Sequence, residues 1–384
     1  MHEPPGLDYL LVGGGLQNGL LALALLQTRP GVRLGIVESG PRLGGNHLWS
    51  FHATDLPEEA RALVEPLVVA RWDGYQVRFP GLHRHVPGTY ASVSSERLHH
   101  VVSGAVRGSP GSVLRLESEA REVAPGQVTL STGERLQATL VVDARGPDRH
   151  APGRVAGYQK FLGLELSLRA PVPDGVPCLM DACVPQVDGY RFVYTLPLAP
   201  DRVLVEDTYF SDTPALDVGA MRAFLLSYAA EQGMEVSGTL RQETGVLPLP
   251  ARATLPEPTG VLVAGYQGGW FHPTTGYSFP LAARLALHVA HTPVADLSGP
   301  PWRAFTRGHR QRLAFCAMLN RVLFHATPPA ERWKVFQRFH RMDPSTIRRF
   351  YALEMTPADF ARILWPGPPP GAPWRAALEE ALHP

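Results

Sequence analysis

Two patterns in this 384-residue chain carry residue types suited to chemistry. One is Gly13-Gly14-Gly15, set between the apolar run Tyr9-Leu10-Leu11-Val12 and a long apolar stretch from Leu16, with Glu38 closing Val32-Arg33-Leu34-Gly35-Ile36-Val37. Gly13 permits a tight turn, and Gly15 lets backbone approach a pyrophosphate at a helix N-terminus. Glu38 stands where an acid accepts hydrogen bonds from an adenosine ribose. Asn18 takes the place of the usual third glycine, so either helix–strand packing loosens or the side chain points elsewhere. Strand, turn, helix and distal acid in register predict dinucleotide binding.

The other pattern is Glu206-Asp207, at the end of Val203-Leu204-Val205. Desolvation and a like-charged neighbour both raise a carboxyl's pKa, which would keep Glu206 protonated near neutral pH. Neighbours on a strand face opposite ways, so Asp207 has a different task, such as anchoring a loop by hydrogen bonding. A solvated strand end is the other reading of the same pair.

Elements must position these groups. Residues 7–38 read as strand–helix–strand, and Gly44 to Phe51 as a polar and aromatic loop. Arg71–Phe79 reads as a strand, and Ser94–Arg107 as a helix capped by Ser94 or Ser95. Short strands fill 112–144 and end on Asp143; further strands fill 157–210, and Leu216–Gln232 is helical. A buried strand at 260–264 precedes a glycine turn and a helix from about Ser278 to His291. After Pro300 the chain reads as helices, Trp302–His325 and Ala330–Leu364, then the stiff connector Pro366-Gly-Pro-Pro-Pro-Gly and a last short helix. The expected fold is α/β. A discontinuous Rossmann-type domain takes 1–50, 92–150 and 240–295, a mostly antiparallel substrate domain takes 51–91 and 151–239, and a helical C-terminal region takes 296–384.

Composition narrows the classes. Lys+Arg 36 against Asp+Glu 35 leaves a formal net charge of +1, which offers no field for nucleic acid. Cys178, Cys183 and Cys316 lack metal-ligand spacing and are too few for a disulfide framework, as in a cytoplasmic protein with reduced thiols. No metal site and no signal peptide are expected. The apolar run Leu7–Leu26 is broken by glycines and a strand-to-helix change, so no bilayer-spanning helix is expected either.

The arrangement resembles the flavoprotein class that includes aromatic hydroxylases, with Val261–Pro280 in the place of that class's late strand–glycine–helix segment. There Gly265 is followed by Tyr266 where the hydroxylases usually carry aspartate. A finer similarity is to bacterial lycopene β-cyclases. It rests on Gly44-Gly45-Asn46-His47-Leu48-Trp49-Ser50-Phe51-His52, Tyr75-Gln-Val-Arg-Phe-Pro80, Val142-Asp143-Ala-Arg145-Gly146 and Tyr190-Arg-Phe-Val-Tyr194. Glu206-Asp207-Thr208, Phe271-His272-Pro-Thr274-Thr275-Gly276-Tyr277-Ser278, Met318–Phe324 and Arg332-Trp333 carry it almost to the C-terminus.

The resemblance implies closure of β-ionone rings at the ends of lycopene. It implies FAD in its reduced form, with NADPH or NADH as reductant, although the reaction is an isomerisation. Glu206 is then the acid. The base is open between Glu206, the flavin and His272. Gly13, Gly15, Asn18, Glu38, Asp143, Gly146, Gly265, Thr274, Thr275 and Gly276 are the expected flavin-binding residues, the threonine hydroxyls facing its ring. Trp49, Phe51, Tyr194, Trp270, Phe271 and Tyr277 are expected to wall the substrate pocket, where desolvated aromatic faces steady a carbocation by about 1–2 kcal/mol each. The arginine-rich helices after Trp302 read either as a cap on the core or as a basic face resting on lipid. The expected setting is cytoplasmic and peripheral to the membrane, with association with other carotenoid enzymes left open. A flavin monooxygenase or polyprenyl reductase is the enzymatic alternative, and a non-catalytic isoprenoid carrier the other.

Overall fold

The computed structural model describes residues 6–146, 155–365 and 367–382. The expected 150/151 domain junction and Pro366 of the connector lie outside them. Strands β1 (Leu7–Val12) and β2 (Leu34–Val37) flank helix α1 (Leu16–Thr28); β3 (Leu48–His52), α2 (Glu58–Val64), β4 (Val68–Phe79), β5 (Leu82–Ser94) and α3 (Ser95–Arg107) follow. Next come β6 (Val113–Arg115), β7 (Ala120–Ala124), β8 (Gln127–Leu130), β9 (Arg135–Asp143), β10 (Val155–Leu168) and β11 (Cys178–Asp181). Then come β12 (Tyr190–Ala199), β13 (Arg202–Ser211), α4 (Val218–Glu231), β14 (Val236–Pro250), β15 (Val261–Val263) and α5 (Phe279–His291). Helices α6 (Pro300–Arg321), α7 (Arg332–Phe339), α8 (Pro344–Tyr351), α9 (Pro357–Leu364) and α10 (Trp374–Leu382) complete the chain.

The strands form two sheets. In the first, β6, β2, β1, β9 and β15 are parallel neighbours in that order, and the antiparallel hairpin β7–β8 extends β9. Strand order reverses at β1, which opens a crevice beyond its carboxyl end, the usual ligand position in such sheets. Helix α1 is buried nearly all round. Its Gln17 side chain donates to the Ala282 carbonyl, and Arg29 donates to the Ala290 carbonyl, tying it to α5.

The second sheet is eight-stranded, in the order β14-β10-β13-β12-β11-β4-β5-β3. Its two faces follow from the period-two alternation of β10. Leu162, Leu164, Leu166 and Leu168 pack with Val193, Val203, Val205 and α4. Gln159, Phe161, Gly163 and Glu165 lie on the other face.

Three boundaries differ from the sequence expectation. Residues 48–52 form a strand paired with β5 rather than a loop. Residues 240–250 stay in the second sheet because β14 pairs with β10 through Pro250, so the return to the nucleotide sheet comes later than 240. The expected helix over 330–364 is three helices; α8 and α9 each begin at a proline, a residue that suits the first helical turn and breaks an interior. All three cysteines are free. Among the described residues no group of His, Cys, Asp or Glu could hold a metal, and no helix is long and apolar enough to cross a membrane.

Candidate active site and nucleotide cavity

A cavity of about 650 Å³ lies at the crevice, lined among others by Gly13, Gly15, Glu38, Arg145, Gly146, Gly265 and Gly276. Gly13 has φ +89°, and a Cβ there would lie 2.9 Å from the Ala144 carbonyl oxygen, so only glycine fits where the chain leaving β9 crosses the turn. Around Gly15 nothing lies within 4 Å of a would-be Cβ. Gly15 caps α1 without a side-chain hydrogen bond, and the first turn holds no acid. The helix N-terminus therefore presents free N–H groups and its positive dipole end to the cavity. The Glu38 carboxylate accepts from the Gly14 and Gly40 N–H groups at 2.7 and 2.6 Å, which fixes it at the cavity edge.

Four expected cofactor residues, Asn18, Asp143, Thr274 and Thr275, do not line this cavity. Asn18 is fully buried behind the turn and donates to the Val12 and Gly13 carbonyls, bracing the loop from within. Asp143 is clamped by the guanidinium of Arg145, at 2.9 and 2.7 Å, and it is Arg145 that lines the cavity. The Thr274 hydroxyl donates to the Cys316 carbonyl and lines an apolar groove instead.

A second, inner cavity of about 180 Å³ opens on the polar-residue face of the eight-stranded sheet. Register builds it. Tyr194, Glu206, Gly163 and Glu243 stand side by side on β12, β13, β10 and β14. Gly163 leaves room between the two acids; its Cβ would lie 3.4 Å from Glu206 Oε2. Glu206 lines the inner cavity, whereas Glu243 lines the nucleotide cavity. The Thr208 hydroxyl donates to Glu206 Oε1 at 2.8 Å. Burial, and then repulsion from Glu243, push the Glu206 carboxyl up to about 8. Glu243 itself stands 2.7 Å from His47 Nδ1 and 3.4 Å from an Arg241 nitrogen.

Asp207 faces the opposite way, as the strand period requires. It is fully buried in a bidentate pair with Arg191, at 2.8 and 2.7 Å, and accepts from the Tyr209 hydroxyl. It therefore joins two strands rather than anchoring a loop.

Of the expected pocket aromatics, Tyr194 and Tyr277 line the inner cavity with Glu206. Trp49 and Trp270 line the nucleotide cavity, Phe51 stacks on Phe279 in the core, and Phe271 stacks on Tyr266 at 3.7 Å. His272 is corrected as a proton acceptor. It is fully buried; its Nε2 is 2.9 Å from the Phe350 carbonyl and its Nδ1 accepts from the Thr274 N–H, so both ring nitrogens are engaged in holding the turn. Burial pushes its pKa down to about 3.

Several lining residues escaped the sequence reading, among them His52, Tyr75, Tyr90, Phe192 and Tyr351. The alternation Tyr190, Phe192, Tyr194 could have exposed Phe192. Nothing local announces Tyr351, which arrives from α8.

The turn at 275–277 separates the cavities: Thr275 and Tyr277 face the inner one and Gly276, at φ +70°, faces the nucleotide cavity. On the far side, the inner cavity meets an apolar groove of about 570 Å³ through Thr275, Phe336 and Tyr351, which line both. The groove runs outward under α9 and α10, where Leu364, Trp365, Trp374 and Leu378 are exposed on its rim. Three arginines of α6 are engaged with the protein, Arg310 with Glu257 and the Leu255 carbonyl, Arg312 with the Met355 carbonyl and Arg321 with the Ala251 and Glu380 carbonyls, while Arg303 and Arg307 are exposed. That helix is a cap on the core.

Comparisons with known proteins bear on the family and the fold. The model of the family described as "Lycopene cyclase protein" matches residues 8–377. A lycopene beta-cyclase of Pseudescherichia vulneris is 42% identical over 381 residues, covering 97% of each chain. Among solved structures, a geranylgeranyl bacteriochlorophyll reductase-like protein of Thermoplasma acidophilum superposes with TM-score 0.63 at 13% identity, over 93% of this chain and 95% of that one. The p-nitrophenol 4-monooxygenase of Pseudomonas putida gives TM-score 0.63 at 15% identity, over 91% and 98%. These two likenesses establish the fold, that of the aromatic-hydroxylase-like class.

Proposed function

The chain belongs to the lycopene cyclase family, and from that membership we propose that it closes β-ionone rings at the ends of linear lycopene, forming β-carotene by acid-initiated cyclisation without net redox change. The observation that carries the chemistry is Glu206, a carboxyl pushed up to about 8 in an aromatic cavity. An alkene is a very weak base, so its protonation needs a neutral acid that is dry and aimed. Glu206 meets the first two needs by burial and by the facing charge of Glu243. Transfer of its proton to the terminal double bond leaves a tertiary cation, which the neighbouring double bond attacks to close the ring. The rings of Phe192, Tyr194 and Tyr277 offer electron-rich faces to that cation and exclude water.

The nucleotide cavity fits FAD on its own features: uncapped N–H groups at α1, open space at Gly15 and a fixed acid at Glu38. Gly13, Gly15, Glu38, Arg145, Gly146, Gly265 and Gly276 would hold it. Bound in the reduced state, with NADPH or NADH as reductant, the flavin would supply negative charge beside the cation. The groove under α9 and α10 would take the rest of the polyene, and its exposed tryptophan and leucine rim would rest on the membrane that dissolves it.

The test is anaerobic turnover of lycopene in liposomes with FAD and NADPH in deuterated water. The expected product is isomeric with lycopene apart from one solvent deuterium per closed ring, and Glu206→Gln is expected to cut turnover by at least about 100-fold while binding FAD normally. Net addition of two hydrogens, or a need for oxygen, would overturn the proposal.

A further inference from the structure

Ring closure ends when the cyclised cation loses a proton, and the carbon that loses it fixes where the ring double bond forms. We propose that Tyr277, backed by Asp55, is the outlet for that proton. This rests on the cyclase reading above.

Tyr277 lines the inner cavity together with Glu206. Its hydroxyl accepts from the His52 backbone N–H at 3.1 Å and donates to Asp55 Oδ2 at 3.2 Å. The phenol oxygen therefore keeps a lone pair for an incoming proton while its own proton already points at a carboxylate. Asp55 is 2% exposed, and its Oδ1 has no hydrogen-bond partner among the described residues. A buried acceptor left unsatisfied costs free energy, and protonation at Oδ2 lowers that cost by removing the carboxylate's charge. Burial pushes Asp55 up to about 7, in the range of a working base near neutral pH.

The step balances. A C–H bond beside the cationic carbon breaks and its electron pair becomes the ring double bond. The proton passes to the Tyr277 oxygen as the Tyr277 proton passes to Asp55 Oδ2. A cation and a carboxylate are consumed and two neutral groups remain, which suits a buried site. Return of the Asp55 proton to solvent and reprotonation of Glu206 complete the cycle.

Rival acceptors line the cavity, among them Glu206 once it has donated its proton, Tyr90, Tyr194 and His52. Tyr90 and Tyr194 share a hydrogen bond with each other at 2.8 Å, and neither donates to a carboxylate. His52 is neutral, its pKa pushed down to about 4 by burial, and taking the proton would create an imidazolium in that same buried site.

The experiment is ring-isomer analysis of the products, by chromatography and NMR, for the FAD-loaded full chain and its Tyr277→Phe, Asp55→Asn and His52→Gln variants. Tyr277→Phe keeps the ring in the wall and removes only the acceptor. The expected result is a severalfold rise in rings with a shifted double bond, or in hydrated product, for Tyr277→Phe and Asp55→Asn, with little change for His52→Gln. Either variant suffices if the other fails to fold. Slower turnover with an unchanged isomer ratio in Tyr277→Phe would overturn the relay, as would a shift confined to His52→Gln. Absence of any cyclised product from the unsubstituted chain would instead sink the cyclase reading, and the relay with it.

Discussion

At the scale of single residues, the decisive quantity is the protonation of Glu206. Under the proposed mechanism the competent form is the neutral acid. With the Glu206 carboxyl raised to about 8 and Asp55, which the relay needs as a carboxylate, raised to about 7, the rate should peak between those values and fall roughly tenfold per unit on the alkaline side. Glu243 contributes by repulsion, so Glu243→Gln should lower the Glu206 pKa and move the alkaline limb toward lower pH. A pH–rate profile of both proteins checks this; an unmoved limb would separate Glu243 from the acid. Glu206 stands out in the sequence because an acid closing an apolar strand is an unusual placement, and the structure sets it on the wall of the inner cavity. His272 was misread because its partner, the Phe350 carbonyl, lies 78 residues downstream, and no local pattern distinguishes a histidine that ties a turn from one that moves protons. Asn18 was half legible: its break with the glycine pattern signalled a different direction, and the structure supplies the carbonyls it bonds.

Among elements, β12 and β13 hold the acid in place from behind. Their shared Arg191–Asp207 pair is nearly solvent-free, with Arg191 also stacked over the Phe224 ring at 3.5 Å. Asp207→Leu would strand a buried guanidinium and should cost about 3–5 kcal/mol of stability, read as a lower urea midpoint with an unchanged slope. The first βαβ unit was readable from spacing alone because its contacts are local. The split of the second sheet was not. That Glu206 and Glu243 face one row through Gly163 depends on antiparallel register between β10 and both its neighbours. Register is set by which faces are buried across the whole sheet, and one strand's sequence does not contain that.

For the whole molecule, three spaces lie in sequence: nucleotide cavity, inner cavity and apolar groove, the first two parted by one turn and the last two joined at Thr275, Phe336 and Tyr351. The exposed Trp365 and Trp374, 89% and 73% accessible, mark where the groove would meet lipid. Replacing both with serine should reduce sedimentation with liposomes several-fold and raise KM for liposomal lycopene, while thermal unfolding barely moves. Retained sedimentation would overturn the assignment of the proposed membrane contact to this rim. The inner cavity also has a numerical consequence. Glu206 is the only carboxylic acid lining it among the described residues, while the proposed substrate has two identical tails. Each visit can therefore finish one tail only, and the half-finished, one-ringed molecule must back out and reverse before it is served again. Crowding by fresh chains at the mouth would then favour release of lopsided product, so the ratio of one-ringed to two-ringed carotenoid becomes a readout of supply rather than of the acid itself.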